Sequence, residues 1–429
     1  MTFVRSFGIA CCCIAFSGLA TAEDWSQWRG PERSNRSNET GLFKTWTDAG
    51  PPLVWMESGA GSGYAGVSVV GKHLYTTGNF DDGQAVTCFD TESGKRVWKT
   101  SVTDKPPKHG YDGSRSTPTV DGDLLYVVPS DGRIVCLQAA DGKEVWSRPF
   151  SDWNGKMMSG WGFSESPLVD GDKVICTPGG AGGLVVALNK KTGESIWACE
   201  GSELDRESSA KKTNDGAGYS SVVISNAGGI RQYVQLIGPG LVGIHAETGK
   251  LLWQYDRVAN TTANIPTPLV AGDYVFTSTG YNTGAALLKL LKDGKDGADQ
   301  FKTEEVYWLD GREFQNKHGG MTYHDGYIYC GHGNGNGLPI CLNVRDGEIA
   351  WGPERAEGKG ETSMIYADGH FVLRRESGHV ILIKANPEKY DVVDSFMPEF
   401  QEGKSWAHPV ISNGKLYLRE NDKIMAYQL

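Results

Sequence analysis

Short apolar runs alternate with polar positions down the chain and break at a polar residue followed by Gly, as in Thr119-Val120-Asp121-Gly122-Asp123-Leu124-Leu125-Tyr126. A period of two predicts strands, and a Gly that tolerates positive φ predicts a tight hairpin between them. The same pattern opens at Ser166-Pro167, Thr267-Pro268 and His408-Pro409, each followed by alternating apolars and then Gly171, Gly272 or Gly414. Proline belongs near the start of a strand, where its missing N–H breaks no ladder bond. Long helical periodicity is absent, so an all-β protein is expected.

A second pattern follows each hairpin. Eleven residues run from a small residue through a Gly to a Trp: Cys88 to Trp98 with Gly94, Cys136 to Trp146 with Gly142, Ala187 to Trp197 with Gly193, Gly243 to Trp253 with Gly249, and Cys341 to Trp351 with Gly347. Trp308 and Phe396 hold the corresponding place in two degenerate copies, and Trp55 in an N-terminal fragment. These anchors lie 43 to 56 residues apart, the length of one four-stranded propeller blade. The reading is an eight-bladed β-propeller over 53–429, with the Pro strand first and the Trp strand last in each blade. Seven blades are complete. In the eighth, three strands from Trp406 onward are completed by the strand around Leu53 to Glu57, a closure that removes open sheet edges. Trp55, Trp98, Trp146, Trp197, Trp253, Trp308 and Trp351 are expected to be structural, each docked on a turn of the neighbouring blade.

Ahead of the propeller, Arg5, an apolar run from Phe7 to Leu19 and Ala20-Thr21-Ala22 read as a signal peptide over 1–22 cleaved before Glu23. Export, to the periplasm or beyond the cell, and a monomer with no transmembrane segment follow as expectations. Residues 23–52 are expected to form an extension packing on the propeller, with Trp25 and Trp28 capping its outside. Within 429 residues, 57 Gly and 13 Trp with 39% hydrophobic content exclude a disordered, collagenous or coiled-coil chain. A net charge of -10 with no basic patch argues against nucleic acid as a partner. Cys88, Cys136 and Cys341 share one repeat position and Cys176 and Cys330 another, so small buried residues are expected there instead of disulfides.

The Thr/Asp/Ser-Gly-Lys/Glu-x-x-Trp ending resembles the pyrroloquinoline quinone (PQQ) repeat, whose family includes quinoprotein alcohol dehydrogenases and BamB-like assembly factors, both eight-bladed. The opening Asp24-Trp25-Ser26-Gln27-Trp28-Arg29-Gly30-Pro31 resembles the start of secreted PQQ-like propellers common in planctomycete-type bacteria. The resemblance implies one of two functions. The first is an exported, non-enzymatic binding or assembly scaffold in the cell envelope, BamB-like, with no cofactor or metal. The alternative is a PQQ-dependent alcohol dehydrogenase-type oxidoreductase with calcium, in which Arg115 pairs with quinone carboxylates, Trp161 or Trp406 stacks on the ring and Glu165 helps hold the metal. Such dehydrogenases carry vicinal cysteines, a catalytic Asp and a calcium set. Here the adjacent Cys11, Cys12 and Cys13 fall in the leader.

Aligning the loops that lead into each first strand on the hairpin Gly places Tyr64, Arg115, Ser164, Gly218, Ile265, Gly319, Glu361 and Trp406 in one ring. His109, Trp161, Glu165, Lys317, His318 and His408 are its chemically active neighbours. Aromatic, basic and acidic groups around one mouth suit a protein, peptide or polar ligand. His318, His324 and His332 fall at different register positions of one blade and are not expected to share a metal. No catalytic triad can be placed.

Overall fold

The computed structural model describes residues 23–42, 46, 49–205, 213–293 and 301–429; the leader read at 1–22 lies outside the described residues. Strands fall into eight four-stranded antiparallel sheets. Blades 1 to 7 span 68–101, 119–149, 168–199, 223–255, 269–309, 322–351 and 362–396, and each uses its strands in chain order. Blade 8 takes three strands from 410–428 and its outermost from Leu53–Ser58, which pairs antiparallel with Lys423–Gln428 through Met56 opposite Met425. The ring thus closes by a ladder between the two ends of the propeller. Among the described residues no helix is long and apolar enough to cross a membrane.

The eleven-residue frame has a physical meaning in the register. Cys88 lies opposite Trp98, Cys136 opposite Trp146, Ala187 opposite Trp197, Gly243 opposite Trp253 and Cys341 opposite Trp351. A small side chain there leaves room for the indole, and the ladder slips immediately afterwards, a bulge that re-aims the outer strand. The indole then reaches the next blade. Trp98 Nε1 donates to the Ala139 carbonyl (3.2 Å), Trp146 to Lys190 (3.0 Å), Trp197 to Ala246 (3.2 Å), Trp351 to Asn386 (2.8 Å) and Trp55 to Thr91 (2.9 Å). The turn Gly of the receiving blade is required twice over. Gly193 has φ 72°, and a Cβ added to it would stand 2.7 Å from the Trp146 ring.

Two blades depart from the expectation. In blade 5 the slip follows Leu287, whose partner is Tyr307, so Trp308 is one residue out and faces the other side of the sheet. Tyr307 docks in its place: its hydroxyl donates to the Val344 carbonyl (3.0 Å) and its ring covers Gly347. Trp308 instead lies under the Arg257 guanidinium, 4.0 Å from its ring centre. Trp253 is buried against blade 5, but the third and fourth strands of that blade run on to Lys292 and Phe301, where blades 1 to 4 and 6 have the tight Gly turn. Its Nε1 turns back to Gln232 Oε1 of its own blade (2.6 Å). Cys88, Cys136, Cys176, Cys199, Cys330 and Cys341 are all buried and free.

The extension does not cap the outside. Residues 23–42 thread the central channel, because the first strands, of three residues in seven blades and six in blade 7, expose unpaired backbone groups along their inner edges that the buried segment must satisfy. Trp25 exchanges both backbone bonds with Val69 of blade 1, and Val120 of blade 2 donates to the Ser26 carbonyl. Arg33 donates to the carbonyls of Ser166, Pro167 and Val222 in blades 3 and 4, and Arg29 to those of Thr267 (3.3 Å) and Met321 (2.7 Å) in blades 5 and 6. Ser37 bonds Tyr366 of blade 7, and the Glu39 carboxylate accepts from the Asn413 and Gly414 amides of blade 8 (2.5 and 2.7 Å). Every blade is tied to this plug. Trp25 and Trp28 are therefore axial residues.

Candidate functional site

The plug stops short of the face where chains enter the first strands, leaving a funnel of about 490 Å³ on the axis. Its floor is Trp28 and Arg29 of the plug, with His408, whose ring centre lies 4.6 Å from that of Trp28. Of the aligned ring, Tyr64, Arg115, Ser164, Ile265, Gly319, Glu361 and Trp406 line the funnel, as do Trp161, Lys317, His318 and His408. Gly218 does not line it, but Tyr219 beside it does.

Two candidates fall elsewhere. Glu165 is buried behind the wall, where its carboxylate accepts from the Thr177 amide (2.6 Å), the Thr177 hydroxyl (2.8 Å) and Gln235 Nε2 (3.2 Å). Burial pushes its pKa up to about 7 against the pull of those bonds and of Arg33. His109 stands behind Arg115, its Nδ1 3.3 Å from that guanidinium. Both are supports of the wall.

Several lining residues are not among the expected set. Tyr111 and Lys404 sit a few residues before Arg115 and Trp406 in the same loops, and Tyr281 and Glu376 come from the hairpins joining second and third strands. Those hairpins open on the same face, a consequence of up-and-down strand order that an alignment of lead-in loops alone does not sample. Trp28 and Arg29 carry no repeat signal at all.

Aromatic rings form two walls. Trp406 stands between Tyr64 (5.0 Å, 53°) and Tyr111 (5.3 Å, 63°), while Trp161 and Tyr219 meet edge-on across the mouth (5.9 Å, 63°). Arg115 joins the walls: it donates to the carbonyls of Gly110, Tyr111, Gly113 and Trp161 and lies 5.8 Å from the Tyr64 ring centre. Lys404 lies 4.5 Å over Trp406.

The charges are partly matched. Lys317 pairs with Glu361 (3.3 Å) and Lys404 with Glu376 (3.0 Å), and Glu376 also accepts from Trp406 Nε1 (3.0 Å). Arg29 and Arg115 have backbone carbonyls as partners, and no carboxylate bonds them among the described residues. Burial lowers the pKa of His318 to about 4 and that of His408 well below its ordinary value, so both rings are neutral at pH 7. Burial also raises the Glu361 carboxyl, with Lys317 opposing. Four cations against two carboxylates leave the funnel net positive.

The three histidines of blade 6 part company. His318 bonds the Trp406 carbonyl (2.9 Å), His324 stacks on Tyr366 (4.1 Å) and His332 Nδ1 accepts from the Gln315 amide (3.2 Å).

Eight four-stranded blades around an axial funnel, five of them docked on the next by a tryptophan Nε1, define the class: an eight-bladed propeller built from PQQ repeats. The chain belongs to the family whose model is described as outer membrane protein assembly factor BamB, which matches residues 44–147 and 81–352. Its relatives divide between two kinds of protein. The dehydrogenase subunit of alcohol dehydrogenase (quinone) from Acetobacter aceti is 24% identical over 70% of this chain and 41% of its own length. BamB from Kangiella koreensis is 26% identical over 27% of each chain. The chain thus spans about two fifths, or less, of the length of these curated relatives. Among solved structures, BamB from Moraxella catarrhalis superposes with a TM-score of 0.59 at 14% identity over 88% of this chain and 97% of that one. A europium-containing methanol dehydrogenase superposes with a TM-score of 0.65 at 13% identity over 95% and 98%. At these identities the structures share the fold.

Proposed function

We propose that the protein is an exported, non-catalytic PQQ-repeat propeller of the cell envelope that works by binding, with the axial funnel as its ligand site and Tyr64, Tyr111, Arg115, Trp161, Lys317, His318, Glu361, Lys404 and Trp406 as the contact residues. The observation that carries this reading is the disposition of the carboxylates. A calcium ion needs six to eight oxygen ligands converging on one point. Here Glu361 and Glu376 are each held by a lysine, and Glu165 is turned away into its own buried network. The residues present do not fit the calcium set of a quinoprotein dehydrogenase, and the cysteines of the mature chain are nowhere adjacent in sequence.

What favours the dehydrogenase alternative is the positive charge of the funnel beside its aromatic rings, which suits the carboxylates of a quinone. The two readings separate on one experiment: mature protein incubated with PQQ and calcium, followed by quinone absorbance and dye-linked alcohol oxidation. Binding without turnover, or no binding, is expected here. Saturable calcium-dependent turnover would establish the dehydrogenase instead.

A further inference from the structure

Given the funnel as a binding site, we propose that its ligand is an acidic saccharide, a short oligosaccharide carrying uronate carboxylates. The first argument is the attitude of the rings. Tyr64 and Tyr111 are inclined to Trp406 by 53° and 63°, and Tyr219 to Trp161 by 63°. A fused planar ligand gains most from parallel faces, and neighbouring rings at these angles form no parallel slot. Successive pyranose rings of an oligosaccharide present C–H faces at changing tilts and match such walls.

The second argument is the mixture of hydrogen-bonding groups. Lys317 with Glu361 and Lys404 with Glu376 set a donor beside an acceptor at two places on the lining. A sugar hydroxyl donates and accepts at once and can use both members of such a pair. A planar polycarboxylate brings mostly acceptors, can use only the lysine of each pair and leaves Glu361 and Glu376 without a donor of its own.

Charge supplies the third. Two cations stand next to stacking faces: Arg115, which no carboxylate bonds among the described residues, 5.8 Å from Tyr64, and Lys404, shared with Glu376, 4.5 Å over Trp406. A carboxylate on the edge of a stacked pyranose therefore meets the Lys404 ammonium, a charge-assisted bond about twice as strong as a neutral one, while Arg115, its Nη donors spent on backbone carbonyls, adds positive charge to the wall. A peptide is disfavoured by the plug. The inner edges of the first strands, the natural place for an added strand, already bond to residues 25–37, and 490 Å³ is the scale of a small molecule.

The test is calorimetry and tryptophan fluorescence on the mature chain. The titrants are a panel of tri-uronates (galacturonate, glucuronate and mannuronate), their methyl esters, maltotriose, PQQ and an acidic hexapeptide. At least one tri-uronate should bind and perturb the fluorescence, with its ester and maltotriose weaker by about tenfold or more. Lys404→Gln should weaken the uronate by a similar factor and the ester by clearly less, while Tyr111→Ala should weaken both alike. Lys404 and Tyr111 are exposed, so both variants should fold, and circular dichroism checks that they do. Equal affinity for uronate and ester, or no response to any uronate, overturns the saccharide. If PQQ or the peptide then binds and Tyr111→Ala abolishes it, the funnel stands as a binding site with another ligand. If their binding is indifferent to Tyr111→Ala and Trp406→Ala, or if nothing in the panel binds, the funnel reading falls as well.

Discussion

His318 and His408 sit neutral in a cationic funnel, and that has a pH signature. The folded pKa of His318 is depressed to about 4, below the value of about 6.5 for a free imidazole. The stability it contributes is present above pH 6.5 and is lost as pH falls through the folded value. Glu165 acts in the opposite sense. Its folded pKa is raised to about 7, so its contribution is full below about pH 4.5 and disappears as pH rises through 7. Melting curves from pH 8 to pH 5 should therefore show a shallower acid decline in His318→Gln than in wild type, and a steeper one in Glu165→Gln. Parallel curves for all three would refute the assignment. Much of this site could be read from sequence because the hairpin Gly fixes the phase of each lead-in loop. Glu165 could not be, since it follows the ring position Ser164 and alternation in an extended segment points it through the wall.

Between blades, docking is the unit of energy. Trp197 is buried, with its ring over Gly249 and its Nε1 on the Ala246 carbonyl. Trp197→Ala should cost about 3 to 5 kcal/mol in denaturant unfolding, as other large-to-small core changes do. Blade 5 offers a finer comparison. Tyr307→Phe removes the bond to Val344 and should cost about 1 kcal/mol. Trp308 Nε1 is buried without a partner among the described residues, so Trp308→Phe relieves an unsatisfied donor and should stay within about 0.5 kcal/mol of wild type. The reverse order would restore Trp308 to the docking role. Blade count, strand order and closure were legible because small residue, Gly and Trp recur at fixed intervals and each interval answers a steric need. The slip in blade 5 was not, because Tyr307 and Trp308 are both large aromatics, and the choice between them is made by where the bulge falls.

At the scale of the molecule, the plug turns a ring into a solid body. Arg33 is buried, its pKa pulled down to about 9 by that burial with Glu165 opposing, and it spends its donors on blades 3 and 4. Arg33→Met should cost roughly 2 to 3 kcal/mol by stranding those carbonyls. Hydrogen exchange should also quicken at the first-strand amides that the plug covers, Val69 and Val120 above all. Unchanged exchange would mean that the channel wall holds without it. None of this was written in a period, since the plug bonds to backbone and needs no matching side-chain pattern.

The plug also sets an order in time. Its residues leave the ribosome before those of the blades, yet Glu39 waits for Asn413 and Gly414, partners made 374 and 375 residues later. Closing loops of that length is entropically slow. A segment made before every blade is thus among the last to settle, and throughout synthesis the chain holds its keystone loose until the arch around it is complete.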